Sequence, residues 1–190
     1  DTSLHKSARK FYVDDGIWDT YLAFNPLRTI LNPDLETDMV RSYVDMYQQS
    51  GWMPMFPSVG GDRAVMNGFH STIMILDAYR KGIRDFDIEK AYEGMKKNAL
   101  QATMLPWKNG PACILDSLYW EHGYYPALRP GEKETVGLVH PFERRQTVAV
   151  TLGHCYDDWA LAMMAKELGK TDDYAFFMKR SKNYKKAWWP

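Results

Sequence analysis

ERRQTVAVTLGHCYDDWALAMMAKEL, residues 143–168, is the longest stretch of helix-forming sequence in the chain, and its reading decides the fold class. It contains no proline, and Gly169 follows it where helices commonly stop. Leu152, Tyr156, Trp159 and Met163, with Ala160 beside them, recur at three- and four-residue steps. That is the helix period, not the two-residue alternation of a strand. The spacing makes these residues the expected inward stripe of one long buried helix.

Working outward, the same period returns on both sides. Thr171 reads as the cap of a last amphipathic helix running through 174–188. Asp87 reads as the N-cap of a helix over 88–100, with Tyr92, Met95 and Ala99 inward. A helix from Ala64 to Arg80 is expected, with Val65, Phe69, Ile73, Leu76 and Tyr79 on one side and Gly82 as its stop. Another covers about 35–50, with Leu35, Met39, Tyr43, Val44 and Tyr47 as its stripe and Gly51 as its end. Residues 17–31 read as a helix bent or broken at Asn25-Pro26. Between these lie two irregular stretches. Trp52-Met53-Pro54-Met55-Phe56-Pro57 cannot be helical with two such prolines and reads as an extended aromatic loop. Residues 101–142, with five prolines from Pro106 to Pro141, are briefly helical near 115–122 and otherwise read as an active-site or interface insertion. No strand alternation appears. The fold class is all-α, with about seven helices in antiparallel pairs suited to an α/α toroid or solenoid.

Composition narrows the function. Of the 190 residues, 45% are hydrophobic and 25% charged, enough for a real core and a solvated surface. Lys+Arg and Asp+Glu balance at 24 each, so no net field steers the chain to nucleic acid or an acidic membrane. No apolar run approaches the ~18 residues of a membrane-spanning helix. The aromatic fraction of 14% is high and suits either a large helical core or a sugar-binding cleft, where pyranose C–H faces pack on flat rings. Cys113 and Cys155 form no CxxC pair. Buried free thiols are expected, or a disulfide in an oxidising compartment. The chain opens at Asp1 without a secretion signal and closes on Ala187-Trp188-Trp189-Pro190, which reads as a processed product or a fragment.

Chemistry is harder to place. His5, His70, His122, His140 and His154 are scattered, with no HExxH, GxSxG or Walker motif among them. Carboxylates adjoin indoles at Trp18-Asp19 and at Asp157-Asp158-Trp159, the pairing a carbohydrate site needs: a flat face for the ring and acceptors for its hydroxyls. An Asp in a helix is more often solvated or a cap. Asp157 and Asp158 also point about 100° apart on a helix, so they cannot act as one dyad.

The order of short motifs is more telling than any one of them. Gly16-Ile17-Trp18-Asp19-Thr20-Tyr21 precedes Asn25-Pro26-Leu27, then Met46-Tyr47-Gln48-Gln49-Ser50-Gly51-Trp52-Met53-Pro54. Met66-Asn67-Gly68-Phe69-His70 leads into Asp77-Ala78-Tyr79-Arg80-Lys81-Gly82-Ile83. Gly123-Tyr124-Tyr125-Pro126, Tyr156-Asp157-Asp158-Trp159 and a run from Asp173 through Lys179-Arg180-Ser181 to Asn183-Tyr184 complete the series. From Gly16 to Tyr184 the chain resembles glycoside hydrolase family 92, the calcium-dependent exo-acting α-mannosidases.

The resemblance implies an (α/α)6 toroid, preceded in the family by a β-sandwich domain. This chain would be the first part of that toroid, incomplete and without a second domain of its own. It implies inverting removal of terminal, α-1,2-linked mannose from a mannose-containing glycan, and a secreted or periplasmic protein. It also implies Ca2+, with ligands mostly outside this chain. By carry-over, Trp18 and Asp19 belong to the sugar-binding subsite, and Trp52 and His70 to the pocket wall. The family's acid lies in a Thr-Glu-Gly-Asn-Ala-Trp-like motif and its base in an Asp-Asp-x-Gly-like motif. A Gly-Asn-Glu-Pro-like motif also contributes, and none of the three occurs here. No catalytic residue or metal ligand is therefore assigned in this chain, and they are expected beyond Pro190. Alone the chain is expected to be inactive, with an apolar edge on the helices near 65–80 and 143–169 covered by the rest of the enzyme or a complementary chain. Leu22 stands where the family often has Arg, and Gly153 where it often has Glu. Two alternatives stay open: a non-catalytic carbohydrate-binding or scaffold relative, and another (α/α)6 glycosidase of trehalase or glucosidase type.

Overall fold

A computed structural model describes residues 9–63 and 65–188. His5, Ala64, Trp189 and Pro190, on which parts of the sequence reading fall, lie outside the described residues. The elements are α1 (Ile17–Thr20), α2 (Phe24–Leu31), α3 (Pro33–Ser50), β1 (Pro57–Ser58), β2 (Gly61–Asp62), α4 (Ser71–Arg80), α5 (Ile88–Gln101), α6 (Ile114–His122), α7 (Thr147–Glu167) and α8 (Thr171–Arg180). A 3-10 segment, Ser181–Ala187, follows α8. Eight α-helices among the described residues make the chain all-α.

The local signals work where they are self-contained. Asn32 Oδ1 accepts from Leu35 N at 3.2 Å, Pro33 occupies the first turn, and Gly51 closes α3 at φ 82°. Asp87 Oδ1 accepts from Lys90 N at 2.9 Å and starts α5. Elsewhere the boundaries move. The break after α1 falls at residues 21–23, and Pro26 sits in the first turn of α2, where no helical N–H is lost. The helix expected from Ala64 begins only at Ser71, because Met66 at φ 62° and Gly68 at φ 79° turn the chain first. Lys170, not Thr171, holds the cap position of α8. The aromatic loop continues into a two-residue antiparallel pair, β1 with β2, which Ser58 Oγ reinforces by donating to Gly61 O at 2.9 Å.

Helix α7 is the hub, packed on α4, α5, α8 and the 3-10 segment. Its expected inward stripe is a correction. Leu152 and Tyr156 are 46% and 42% exposed, and Trp159 and Met163 are only half-buried. The buried side instead carries His154, Cys155, Asp157, Asp158, Ala160, Leu161, Ala162, Met164 and Ala165. Helices crowd α7 on several sides, so Ala160, Ala162 and Ala165 share its buried positions with Leu161 and Met164. The main core joins Tyr43, Ile75, Met95, Leu161, Met164 and Phe177. A second cluster of Leu105, Leu115, Tyr119, Tyr125, Val139 and Val150 organises the irregular 101–142 stretch around α6.

The expected apolar edge moves in part, from α4 to α2. Residues 71–76 of α4 are fully enclosed, whereas Phe24, Leu27, Ile30 and Leu31 of α2 lie open, together with Val148, Leu152 and Tyr156 of α7. Two buried ion pairs tie distant elements. Arg180 grips Asp158 with Nε at 2.7 Å and Nη2 at 2.5 Å, and Nη2 also donates to Ala99 O at 2.8 Å, joining α8, α7 and α5. Arg28 Nε donates to Glu36 Oε2 at 2.6 Å, joining α2 and α3. Both cysteines are free thiols, Cys155 buried and Cys113 half-buried. Among the described residues no helix is long and apolar enough to cross a membrane.

Candidate active-site wall

The turn before α4 and the middle of α7 build the most tightly determined cluster. His70 Nδ1 lies 2.6 Å from Asp157 Oδ1, and Phe69 N donates to Asp157 Oδ2 at 2.9 Å. Asp157 is fully buried and His70 is 5% exposed. Gly68 is required here: its φ of +79° favours glycine, and a Cβ would sit 2.6 Å from His70 Cε1 and 3.1 Å from Asp157 Oδ2. The carboxylate therefore satisfies one backbone donor and fixes the imidazole at the same time, as a buried charge must.

Aromatic rings continue the wall. Tyr21 packs on His70 with centroids 4.5 Å apart and on Tyr156 at 6.1 Å, and Tyr156 stacks on Trp159 at 5.7 Å. Burial, with Tyr156 and Asp157 adding to it, pushes the Tyr21 phenol up, and burial with Asp157 does the same to Tyr156. Both hydroxyls thus stay protonated at neutral pH and can donate.

Trp18 and Asp19 lie on α1, just before Tyr21 in the sequence. Trp18 is 37% exposed and Asp19 is exposed. The short helix is held from behind: Thr20 Oγ1 donates to Asp15 Oδ1 at 2.8 Å, while Tyr43 OH and Arg28 Nη2 donate to Asp15 Oδ2. Burial pushes the Glu36 carboxyl up against the opposing pull of Arg28. A Cβ built on Gly16 would lie 3.0 Å from Phe56 Cζ and 3.4 Å from Asp19 Oδ2, so an aromatic of the 52–57 loop and the Asp19 carboxylate converge there.

Trp52 is not that aromatic. It is half-buried beside α5, with Lys97 Nζ 4.6 Å from its ring centre. Asp62 sets the loop by accepting from Met55 N at 3.0 Å and Phe56 N at 2.7 Å, which directs Phe56 toward Asp19. Sequence reading missed Tyr21, Phe56, Tyr156 and Asp157 as wall residues. A usable signal for Asp157 existed: two adjacent carboxylates inside the mostly apolar run of 148–165 require buried partners. The two are indeed separate, Asp157 on His70 and Asp158 on Arg180.

Calcium needs six or more oxygen ligands. Among the described residues no group of three His, Cys, Asp or Glu converges on one point. The buried carboxylates pair with Arg28, His70, Arg180 and, for Asp116, with the backbone of Cys113 and Met104; Glu36 Oε1 alone has no hydrogen-bond partner among the described residues, and no second carboxylate joins it. These residues do not by themselves fit a calcium ion.

The chain belongs to glycosyl hydrolase family 92: the model of that family's catalytic domain matches residues 1–190. Among solved structures, an inverting mannosidase of the family from Bacteroides thetaiotaomicron VPI-5482 is 32% identical, with a TM-score of 0.78, and the match covers 95% of this chain. A family GH92 α-mannosidase from the same species is 29% identical with a TM-score of 0.75, over 95% of this chain, and has also been solved in complex with mannoimidazole. The described helices are thus part of an (α/α)6 toroid. The chain spans 22% of the length of the first of these structures. No curated protein matches.

Proposed function

We propose that the protein is an exo-acting α-mannosidase that removes terminal α-1,2-linked mannose from glycans with inversion. The observation that carries this reading is the 32% identity to an inverting mannosidase over 95% of the chain. Inversion needs a general acid at the leaving oxygen and a base holding water on the opposite face, with carboxyls ~6.5–9.5 Å apart. The acid and base motifs of the family are absent from this sequence, so the pair comes from sequence outside it.

What these residues do is bind and orient. Asp19 accepts hydrogen bonds from sugar hydroxyls, and Trp18 and Phe56 offer flat faces to the ring. His70, held by Asp157, and the protonated Tyr21 stiffen and close the wall. Calcium belongs to this reading as the expected ion, with ligands mostly outside this chain. The open apolar side of α2 packs on the remainder of the same catalytic domain, and the protein works in a secreted or periplasmic setting.

The test is hydrolysis of α-1,2-mannobiose by the intact protein, with the released anomer followed by NMR, with calcium and after chelation. β-Mannose appearing first and activity lost on chelation are expected. α-Mannose appearing first would overturn inversion. Binding of the disaccharide without any release would favour a non-catalytic carbohydrate-binding relative.

A further inference from the structure

The α1 helix is a single turn, Ile17–Thr20, and Gly16 at its N-cap offers no side-chain cap. A helix this short has no stability of its own, because nucleation outweighs the few hydrogen bonds of one turn. Its shape is imposed from below. Ile17 is fully buried and anchors the turn by apolar contact. Such an anchor is non-directional, so it fixes where the turn sits but leaves its rotation free. Ile17 and Thr20, three residues apart, share the inner face, while Trp18 and Asp19 are exposed.

Direction comes from a buried polar network that spans α1, α2 and α3. Thr20 Oγ1 donates to Asp15 Oδ1 at 2.8 Å. Asp15 Oδ2 accepts from Tyr43 OH and, at 3.4 Å, from Arg28 Nη2. Arg28 is held in turn by Glu36, to which its Nε donates at 2.6 Å. Asn25 completes the link from α2. With its amide oriented to satisfy both ends, Nδ2 donates to Thr20 O at 2.9 Å and to Thr20 Oγ1 at 2.7 Å, and Oδ1 accepts from Arg28 Nη2 at 3.1 Å. Asp15, Asn25, Arg28, Glu36 and Tyr43 are all buried. A buried ion network is a weak source of stability, since desolvating its charges offsets most of their attraction. What it supplies is geometry, because hydrogen bonds weaken steeply away from their preferred angles.

We propose that Asp15 and Thr20 are positioning residues for the sugar site: their hydrogen bond, locked by Arg28, Tyr43 and Asn25, sets the rotation of α1 and so aims Trp18 and Asp19 at the terminal sugar. The proposal rests on the exo-mannosidase reading. Asp15 is buried and the Thr20 hydroxyl is turned inward to it, so neither reaches the sugar itself.

The experiment uses Thr20→Val in the intact protein. Valine keeps the branched shape, leaves Asp15 its bonds to Tyr43 and Arg28, and removes only the hydroxyl. Thr20→Ser keeps the hydroxyl and serves as the rescue. Small misplacements of binding groups slow a reaction strongly, so kcat/KM on α-1,2-mannobiose should fall at least about tenfold in Thr20→Val and stay within about threefold of wild type in Thr20→Ser. The melting temperature should stay level across all three. Hydrogen exchange read by mass spectrometry supplies a measure free of turnover. The amides of Asp19, Thr20 and Tyr21 bond to Gly16 O and Ile17 O. They should exchange at least about tenfold faster in Thr20→Val, with the amides of α3 unchanged. Full activity in Thr20→Val overturns the proposal, as does a loss that serine also shows, or exchange that is no faster. Activity and melting temperature falling together make the link merely structural and overturn it too. Wild-type protein that cleaves no α-mannoside overturns the mannosidase reading, and hydrogen exchange alone then decides whether the Asp15–Thr20 bond fixes α1.

Discussion

His154 and Asp19 show opposite ends of what a single polar residue does here. His154 is buried beside Phe69, its Nε2 has no hydrogen-bond partner among the described residues, and it borders a cavity of about 10 Å³, roughly the room of one water. Burial, opposed by Asp157, holds its pKa down at about 4. The folded state therefore binds fewer protons than the unfolded chain between pH ~6.5 and ~4, so stability is complete above that window and falls through it, by roughly 3 kcal/mol in all. Asp158, which burial raises to about 6, works in the opposite sense over much of the same range. Comparing wild type with His154→Leu cancels that contribution. The wild-type melting temperature should drop relative to the variant as pH goes from 6.5 to 4, and a constant gap would refute the assignment. Asp19, in contrast, is exposed, and removing it should change stability by less than about 0.5 kcal/mol. If it grips sugar hydroxyls, Asp19→Ala lowers kcat/KM on α-mannosides about 100-fold with the melting temperature held. Parallel loss of activity and stability would make it a structural residue of α1.

At the level of elements, the crossing of α3 and α5 is closer than ordinary side chains allow. A Cβ on Gly94 would lie 2.7 Å from Met53 Sδ and 2.8 Å from Tyr47 Cγ. Two effects compete in Gly94→Ala. Helix propensity favours alanine by about 1 kcal/mol, while overpacking costs about 1–3 kcal/mol. The Tyr47 atom is the root of a buried ring whose hydroxyl is tied to Glu93 at 2.8 Å, so it cannot swing aside. Overpacking wins, and thermal unfolding of the variant should show a net loss of up to about 2 kcal/mol. A melting temperature above wild type would mean the two helices separate at little cost.

Across the whole molecule, the open side of α2 distinguishes a surface from an interface. Ile30 is 70% exposed among the described residues, and Phe24, Leu27 and Leu31 are open beside it. If the rest of the catalytic domain covers this side, Ile30→Glu in the intact protein costs at least about 1.5 kcal/mol, the value of a buried aliphatic side chain. If water covers it, the change stays within about 0.5 kcal/mol. Chemical denaturation of the intact protein decides between the two.

Much of this architecture was legible in the residues alone. Asp87 and Gly51 delimit their helices because capping acts within about four residues and needs no distant partner. The helical period, the all-α class and the ordered motifs from Trp18-Asp19 to Asn183-Tyr184 are likewise properties of the chain read in order. Tertiary structure alone decided which face of α7 is buried, since a helix packed on several sides has more than one apolar side and period does not set phase. It also decided that Phe56, not Trp52, approaches Gly16 on the same side as Asp19, and that Asp157 finds His70 across 87 positions of sequence. Such pairings depend on how helices stack, and that is set by the summed packing of the core, not by any local run of residues.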